Sequence, residues 1–251
     1  MKHKPISHIL IAVIFIAAMS MAGALHSQEG RLLTPLNKIT ATGEVTIGRG
    51  PTGSWVISPW FSVQRNGTPL RKLEVTLDGH RLRETMPGQY AGIRITDMIP
   101  AVGNTMNFSI ASRPFPSPSP LLTEKIAISG MAVIGSLAEI TQPVSGSNLN
   151  ATTLGTALVV NWTGGVSPYD LGVVKPSGGA ALEIFSQKGL PGHSLSLPAT
   201  LFLPGISYSI VLSYKMKPFV FKMSDRHISL LLDKSSTVIL RCAVISSISI
   251  N

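Results

Sequence analysis

Gly205-Ile206-Ser207-Tyr208-Ser209-Ile210-Val211-Leu212 reads as a turn that opens into a strand with alternating apolar and polar residues. Gly103-Asn104-Thr105-Met106-Asn107-Phe108-Ser109-Ile110 gives the same reading 102 positions earlier. Trp60 and Trp162 stand at that same offset, each closing an alternating stretch: Ser54-Trp55-Val56-Ile57-Ser58-Pro59-Trp60 and Thr156-Ala157-Leu158-Val159-Val160-Asn161-Trp162. The spacing predicts two copies of one unit, with Trp60 and Trp162 as the core indole of each.

Working outward, period-two stretches bounded by Gly, Pro, Asn and Ser recur along the chain. In the first unit they run over residues 44–48, 56–64, 72–77, 90–96, 106–112 and 125–134. In the second they run over 157–162, 170–175, 181–186, 194–197, 207–214, 219–223, 228–232 and 237–245. Asn66-Gly67 and Asp78-Gly79 predict tight hairpins, because both central residues of a type I′ turn need positive φ. Arg113 to Pro120 carries four prolines without an amide donor, so it predicts an extended loop. No stretch after the N-terminus keeps helical apolar spacing over three turns. The fold class predicted is all-β: two tandem β-sandwiches over residues 31–140 and 141–251, joined by the polar segment 141–148.

Met1-Lys2-His3-Lys4, the apolar run Ile9 to Ala18 and Ala22-Gly23-Ala24 predict a secretory signal peptide over residues 1–24. The expected location is therefore extracytoplasmic, with no membrane span after cleavage. Without Lys2 and Lys4 the net charge falls from +9 to about +7, with the basic residues scattered rather than clustered. Cys242 is the only cysteine, so no intramolecular disulfide forms, and its alternating neighbours predict a buried thiol.

Leu203-Pro204-Gly205, followed by a strand carrying Tyr208, resembles the fibronectin type III and bacterial immunoglobulin-like superfamily. Asn161-Trp162-Thr163-Gly164-Gly165-Val166-Ser167-Pro168-Tyr169 resembles the tryptophan, glycine-glycine, proline-tyrosine stretch of secreted bacterial immunoglobulin-like repeats. The resemblance covers most of residues 141–214 and, loosely, 31–140. It implies two immunoglobulin-like sandwiches, and a corner role for Tyr208 with its hydroxyl returned to backbone near the turn. The first unit has Met106 at that position and lacks the phenol.

Catalytic patterns are sparse. His26, His80, His193 and His227 sit in no motif that presents a nucleophile, and Glu74, Glu84 and Glu183 are isolated carboxylates. No His or Cys pairing suits zinc, no oxygen cluster suits calcium, and no cofactor is expected. Basic residues are not interleaved with aromatics, so no nucleic-acid partner is expected.

The reading is a non-enzymatic envelope or secreted protein that meets an envelope protein or a glycan. A sheet edge would make the contact, with Val244 to Ile250 as an uncharged segment able to pair if it is not simply the last strand. Trp55 and Tyr90 are the candidate ligand contacts, Trp55 being extra to the repeat and beside Gly53 and Pro51. Two alternatives remain: a carbohydrate-binding module, and a periplasmic assembly chaperone, since pilus chaperones resemble this chain in combining two immunoglobulin-like domains with a basic surface.

Overall fold

The computed structural model describes residues 37–92, 95, 99–112, 126–177, 180–223 and 230–251. The predicted signal peptide and the proline-rich segment 113–120 lie outside these residues.

The described chain is all-β apart from one 3-10 turn at Ala199–Leu201. Its first half carries β1 (Asn37–Arg49), β2 (Trp55–Arg65), β3 (Thr68–Pro69), β4 (Leu73–Leu77), β5 (His80–Arg81), β6 (Arg83–Met86), β7 (Gln89–Ala91), β8 (Thr105–Ser112) and β9 (Ala127–Val133). Next come β10 (Glu139–Gln142), β11 (Ser147–Leu149), β12 (Ala157–Thr163), β13 (Tyr169–Ser177), β14 (Ala180–Leu190) and β15 (Ser194–Pro198). The chain closes with β16 (Ile206–Lys215), β17 (Val220–Met223), β18 (Leu230–Leu232) and β19 (Thr237–Ile250).

The turns follow local chemistry. Asn66 and Gly67 have φ of 49° and 78°, and Asp78 and Gly79 have 44° and 83°. Both pairs thus meet the two positive φ angles that a type I′ hairpin demands. Gly103 and Gly205 are also left-handed, at φ of 88° and 77°. Their amides cap the ends of neighbouring strands: the Gly103 N–H donates to Ile134 O at 2.8 Å and the Gly205 N–H to Ile250 O at 2.7 Å. The glycine half of the 102-residue repeat therefore places Met106 and Tyr208, both 1% exposed, on the inner face of their strands.

The tryptophan half behaves differently. Trp162 is buried at 2% exposure, whereas Trp60 is 42% exposed and is not the core indole predicted. Ile57, Phe61 and Val63 of β2 point inward, which leaves Ser58, Trp60 and Ser62 on the outer face. The repeat slips by one position between the two tryptophans, and on a period-two element one position reverses the face.

One eleven-stranded sheet in the order β14-β13-β16-β19-β1-β2-β7-β6 forms a layer, with β11 alongside β19, β18 alongside β1 and β3 alongside β2. Two smaller sheets, β17-β9-β8-β4-β5 and β10-β12-β15, pack against it. Phe61 of β2 meets Phe108 of β8 with ring centroids 5.1 Å apart, and Trp162 of β12 meets Tyr169 of β13 at 5.5 Å. Buried residues from Ile39 to Ile250 form one continuous apolar core.

β19 joins the halves. Its first part, Thr237 to Val244, runs parallel to β1 in register with Thr42 to Arg49. Arg241 to Ile250 runs antiparallel to β16. Before it, the chain returns to the first half, where β17 pairs with β9 and β18 with β1. The segment 141–148, read from sequence as a polar linker, is partly strand: Gln142 opposes Asn161 and Ser147 to Leu149 pair with Ile248 to Ile250. Residues 244–250, the candidate free edge, are the last strand: all pair with β16, and on the other side Val244 pairs with β1 and Ile248 to Ile250 with β11.

All four tyrosine hydroxyls tie a connection to the core. Tyr90 donates to Leu70 O at 2.8 Å and accepts from the Leu73 N–H at 3.1 Å. Tyr214 donates to Ser136 O at 2.8 Å and accepts from the Ala138 N–H at 2.9 Å. Tyr208 accepts from the Leu203 N–H at 2.7 Å, the corner bond expected of it. Tyr169 donates to Gly164 O at 2.9 Å.

Candidate functional site

Charged side chains gather on the outer face of the eleven-stranded sheet. Outward positions there are mostly small: Thr42 and Thr46 on β1, Ser58 and Ser62 on β2, Ser209 and Ser213 on β16. Trp60 rises among them, opposite Glu44 on one side and Ala91 on the other. Gly43 lets the strands close here, since a Cβ at that position would run into the Trp60 carbonyl oxygen.

Glu44 leads from Trp60 into a charged chain that crosses the seam. Its Oε1 accepts from the Thr46 hydroxyl at 3.0 Å and pairs with Arg241 Nε at 3.2 Å. Arg241 also reaches Asp170 Oδ2 at 3.9 Å, while Asp170 Oδ1 accepts from the Gly189 N–H at 3.1 Å. With side chains 23 to 38% exposed, these pairs contribute little to stability, on the order of 0–1 kcal/mol. Their effect is to hold carboxylate and guanidinium groups at fixed places on the face. Beyond Arg241 lies a groove of about 380 Å³, with Gly172 and Ser213 as floor and Asp170, Glu183, Lys188 and Arg241 as walls.

The two aromatic residues singled out from sequence sit elsewhere. Trp55 is half-buried against the core, with the Arg49 guanidinium 5.5 Å over its ring. Arg49 is also held by Glu139 at 3.1 Å, so Trp55 lies at the seam. Tyr90 is 1% exposed, with its hydroxyl on the backbone of Leu70 and Leu73, which leaves it no surface to offer. The aromatic that the fold exposes is Trp60, and the legible signal was its parity with Ser58 and Ser62 against Ile57, Phe61 and Val63.

A second polar cluster surrounds Trp162. Tyr169 spends its proton on Gly164 O, so the 2.9 Å contact with His193 makes Nε2 of the imidazole the donor. The buried Trp162 indole N–H has no hydrogen-bond partner. Burial pushes the Cys242 thiol up, away from the thiolate, and it pushes the Tyr214 phenol up as well. Among the described residues no group of three or more His, Cys, Asp or Glu could hold a metal ion, and no helix is long and apolar enough to cross a membrane.

No family model matches the chain, and no curated protein matches it. Among solved structures it is similar to one from work on host cell surface retention of a 1.5-MDa bacterial ice-binding adhesin. That similarity has a TM-score of 0.26 and 11% identity, and covers 85% of this chain and 65% of the other. It is also similar to a tetra-tandem repeat in the extending region of a large adhesion protein, with a TM-score of 0.24 and 11% identity over 84% of this chain and 50% of the other. The chain thus spans less than two thirds of the length of either structure.

Proposed function

We propose that this protein is an extracytoplasmic, non-enzymatic structural and binding module in which two immunoglobulin-like sandwiches act as one stiff body. The observation that carries the reading is β19, whose first part is hydrogen-bonded to β1 and whose last part is hydrogen-bonded to β16. A hinge between the halves would have to break this ladder and open a shared core. Stiffness across both halves suits a spacer or a wide binding face, because a ligand spanning the seam meets a surface already ordered.

The test is fractionation of source cells producing the full chain with a C-terminal tag, followed by equilibrium unfolding of the recovered protein. The reading expects a chain shortened at residues 1–24, found outside the cytoplasm, that unfolds in one transition by fluorescence and by circular dichroism. A full-length cytoplasmic product, or two separated transitions, would refute it.

A further inference from the structure

The outer face of the large sheet carries an exposed indole and, across the Glu44–Arg241–Asp170 chain, a charged groove. We infer that this surface binds a neutral, hydroxyl-rich polymer, a polysaccharide segment laid across the seam, with Trp60 as its stacking platform. The inference rests on the reading of the protein as a binding module and names the class of ligand.

Trp60 supplies the first reason. It is the one exposed Trp, Tyr or Phe among the described residues: Ser58 and Ser62 flank it along the strand, with Glu44 opposite on one side and Ala91 on the other. An indole on a hydroxyl-lined face offers a flat apolar surface with polar groups around it. A pyranose ring has the matching shape, with C–H bonds on its face and hydroxyls at its rim.

Charge decides among polymers. Glu44, Asp170 and Glu183 alternate with Arg241 and Lys188 from Trp60 to the far end of the groove. A polyanion meets three carboxylates there, and a polycation meets two cations with two of the carboxylates already ion-paired. Sugar hydroxyls avoid both conflicts, because each one donates to a carboxylate and accepts from a guanidinium or ammonium group.

Reach sets the size. Trp60 on β2 and Asp170 on β13 are separated by β1, β19 and β16. At a strand spacing of about 4.8 Å, that is roughly 19 Å across the sheet, the span of several sugar rings rather than one. From β2 to β13 each strand of the face is hydrogen-bonded on both sides, and open backbone lies at the edge strands β14 and β6. A peptide could add as a strand only along such an edge, so across β2 to β13 side chains alone must read the ligand.

The experiment is native affinity electrophoresis of the full chain through gels containing dextran, galactomannan, mixed-linkage β-glucan or amylopectin, with alginate and chitosan as charged comparators. The expected result is retardation by at least one neutral polysaccharide, persisting at about 0.5 M salt, where exposed charge interactions are screened. Trp60→Ala should weaken the interaction by about tenfold or more, and Trp60→Phe should recover part of it. Asp170→Asn should weaken it several-fold, and all three variants should keep the parent melting temperature. Three results would overturn the inference: no retardation by any neutral polymer, a preference for alginate or chitosan that salt abolishes, or unchanged binding by Trp60→Ala. None of these would move the protein from its compartment or split its unfolding transition, so the structural reading fails or stands on its own test.

Discussion

Phe221 and Phe108 stand edge to face with ring centroids 5.4 Å apart, and Gly130, the register partner of both, lies between them. A Cβ on Gly130 would run into the Phe108 ring. Phe219 adds a further edge contact to Phe108 at 5.3 Å, so residues from the returning end of the chain complete the core of its first half. Gly130→Ala should therefore destabilise by about 1–3 kcal/mol through overpacking. Gly103→Ala, with open space at its Cβ but φ of 88°, should cost about 1–2 kcal/mol through backbone strain alone. Urea unfolding of the two variants, combined with Phe108→Leu, checks the assignment: the larger cavity should relieve Gly130→Ala and leave Gly103→Ala unchanged.

The returning segment makes the halves interdependent. Phe219→Ala should cost about 3–5 kcal/mol, since the ring is 4% exposed and packed on Phe108. The loss should appear as a shift of one common transition. Fluorescence dominated by the indoles and far-ultraviolet circular dichroism should give the same midpoint, and a separate early transition would show that the seam does not couple the halves.

The tyrosine hydroxyls differ in what their loss exposes. Tyr214→Phe leaves both the buried Ala138 N–H and the part-buried Ser136 carbonyl without this partner. Tyr208→Phe deprives only the Leu203 N–H. The first change should cost about 2–3 kcal/mol and the second about 1 kcal/mol. Denaturation of the two variants side by side reads the order, and a smaller loss for Tyr214→Phe would contradict it.

Acid should weaken the fold in part through Glu84. Burial raises its pKa, but the Lys72 and Gly88 amides at 3.0 and 3.2 Å and the Arg71 guanidinium at 3.5 Å outweigh that and hold the carboxyl below its ordinary 4.5. A depressed folded-state pKa means that the unfolded chain takes up the proton first. Glu84 thus adds stability that is full above about 4.5 and fades as pH falls through the lower folded value. Glu84→Gln should cost stability at pH near 7, and the gap to the parent should narrow at pH near 3.

Cys242 should resist alkylation in the native protein, because its side chain is fully buried and its thiol is pushed away from ionisation. Iodoacetamide labelling followed by mass spectrometry should track global unfolding in urea. Rapid labelling in buffer would place the thiol at an accessible position.

What the sequence determined by itself is what neighbours along the chain decide. Strand period follows from alternation, and positive φ at Asn66-Gly67, Asp78-Gly79, Gly103 and Gly205 follows from residues that tolerate it. The buried Tyr208 and Cys242 follow from the same period. Only the tertiary structure decided which strands lie side by side, because a backbone ladder accepts any neighbouring strand and does not identify its partner. Nothing local in Thr237 to Ile250 announces that its first part runs parallel to β1 and its last part antiparallel to β16. The Glu44–Arg241–Asp170 chain exists only because that strand crosses between the halves. Trp60 was misplaced for a smaller reason of the same kind: a repeat offset measures distance along the chain, whereas the exposed face is set by strand parity, which a single residue reverses.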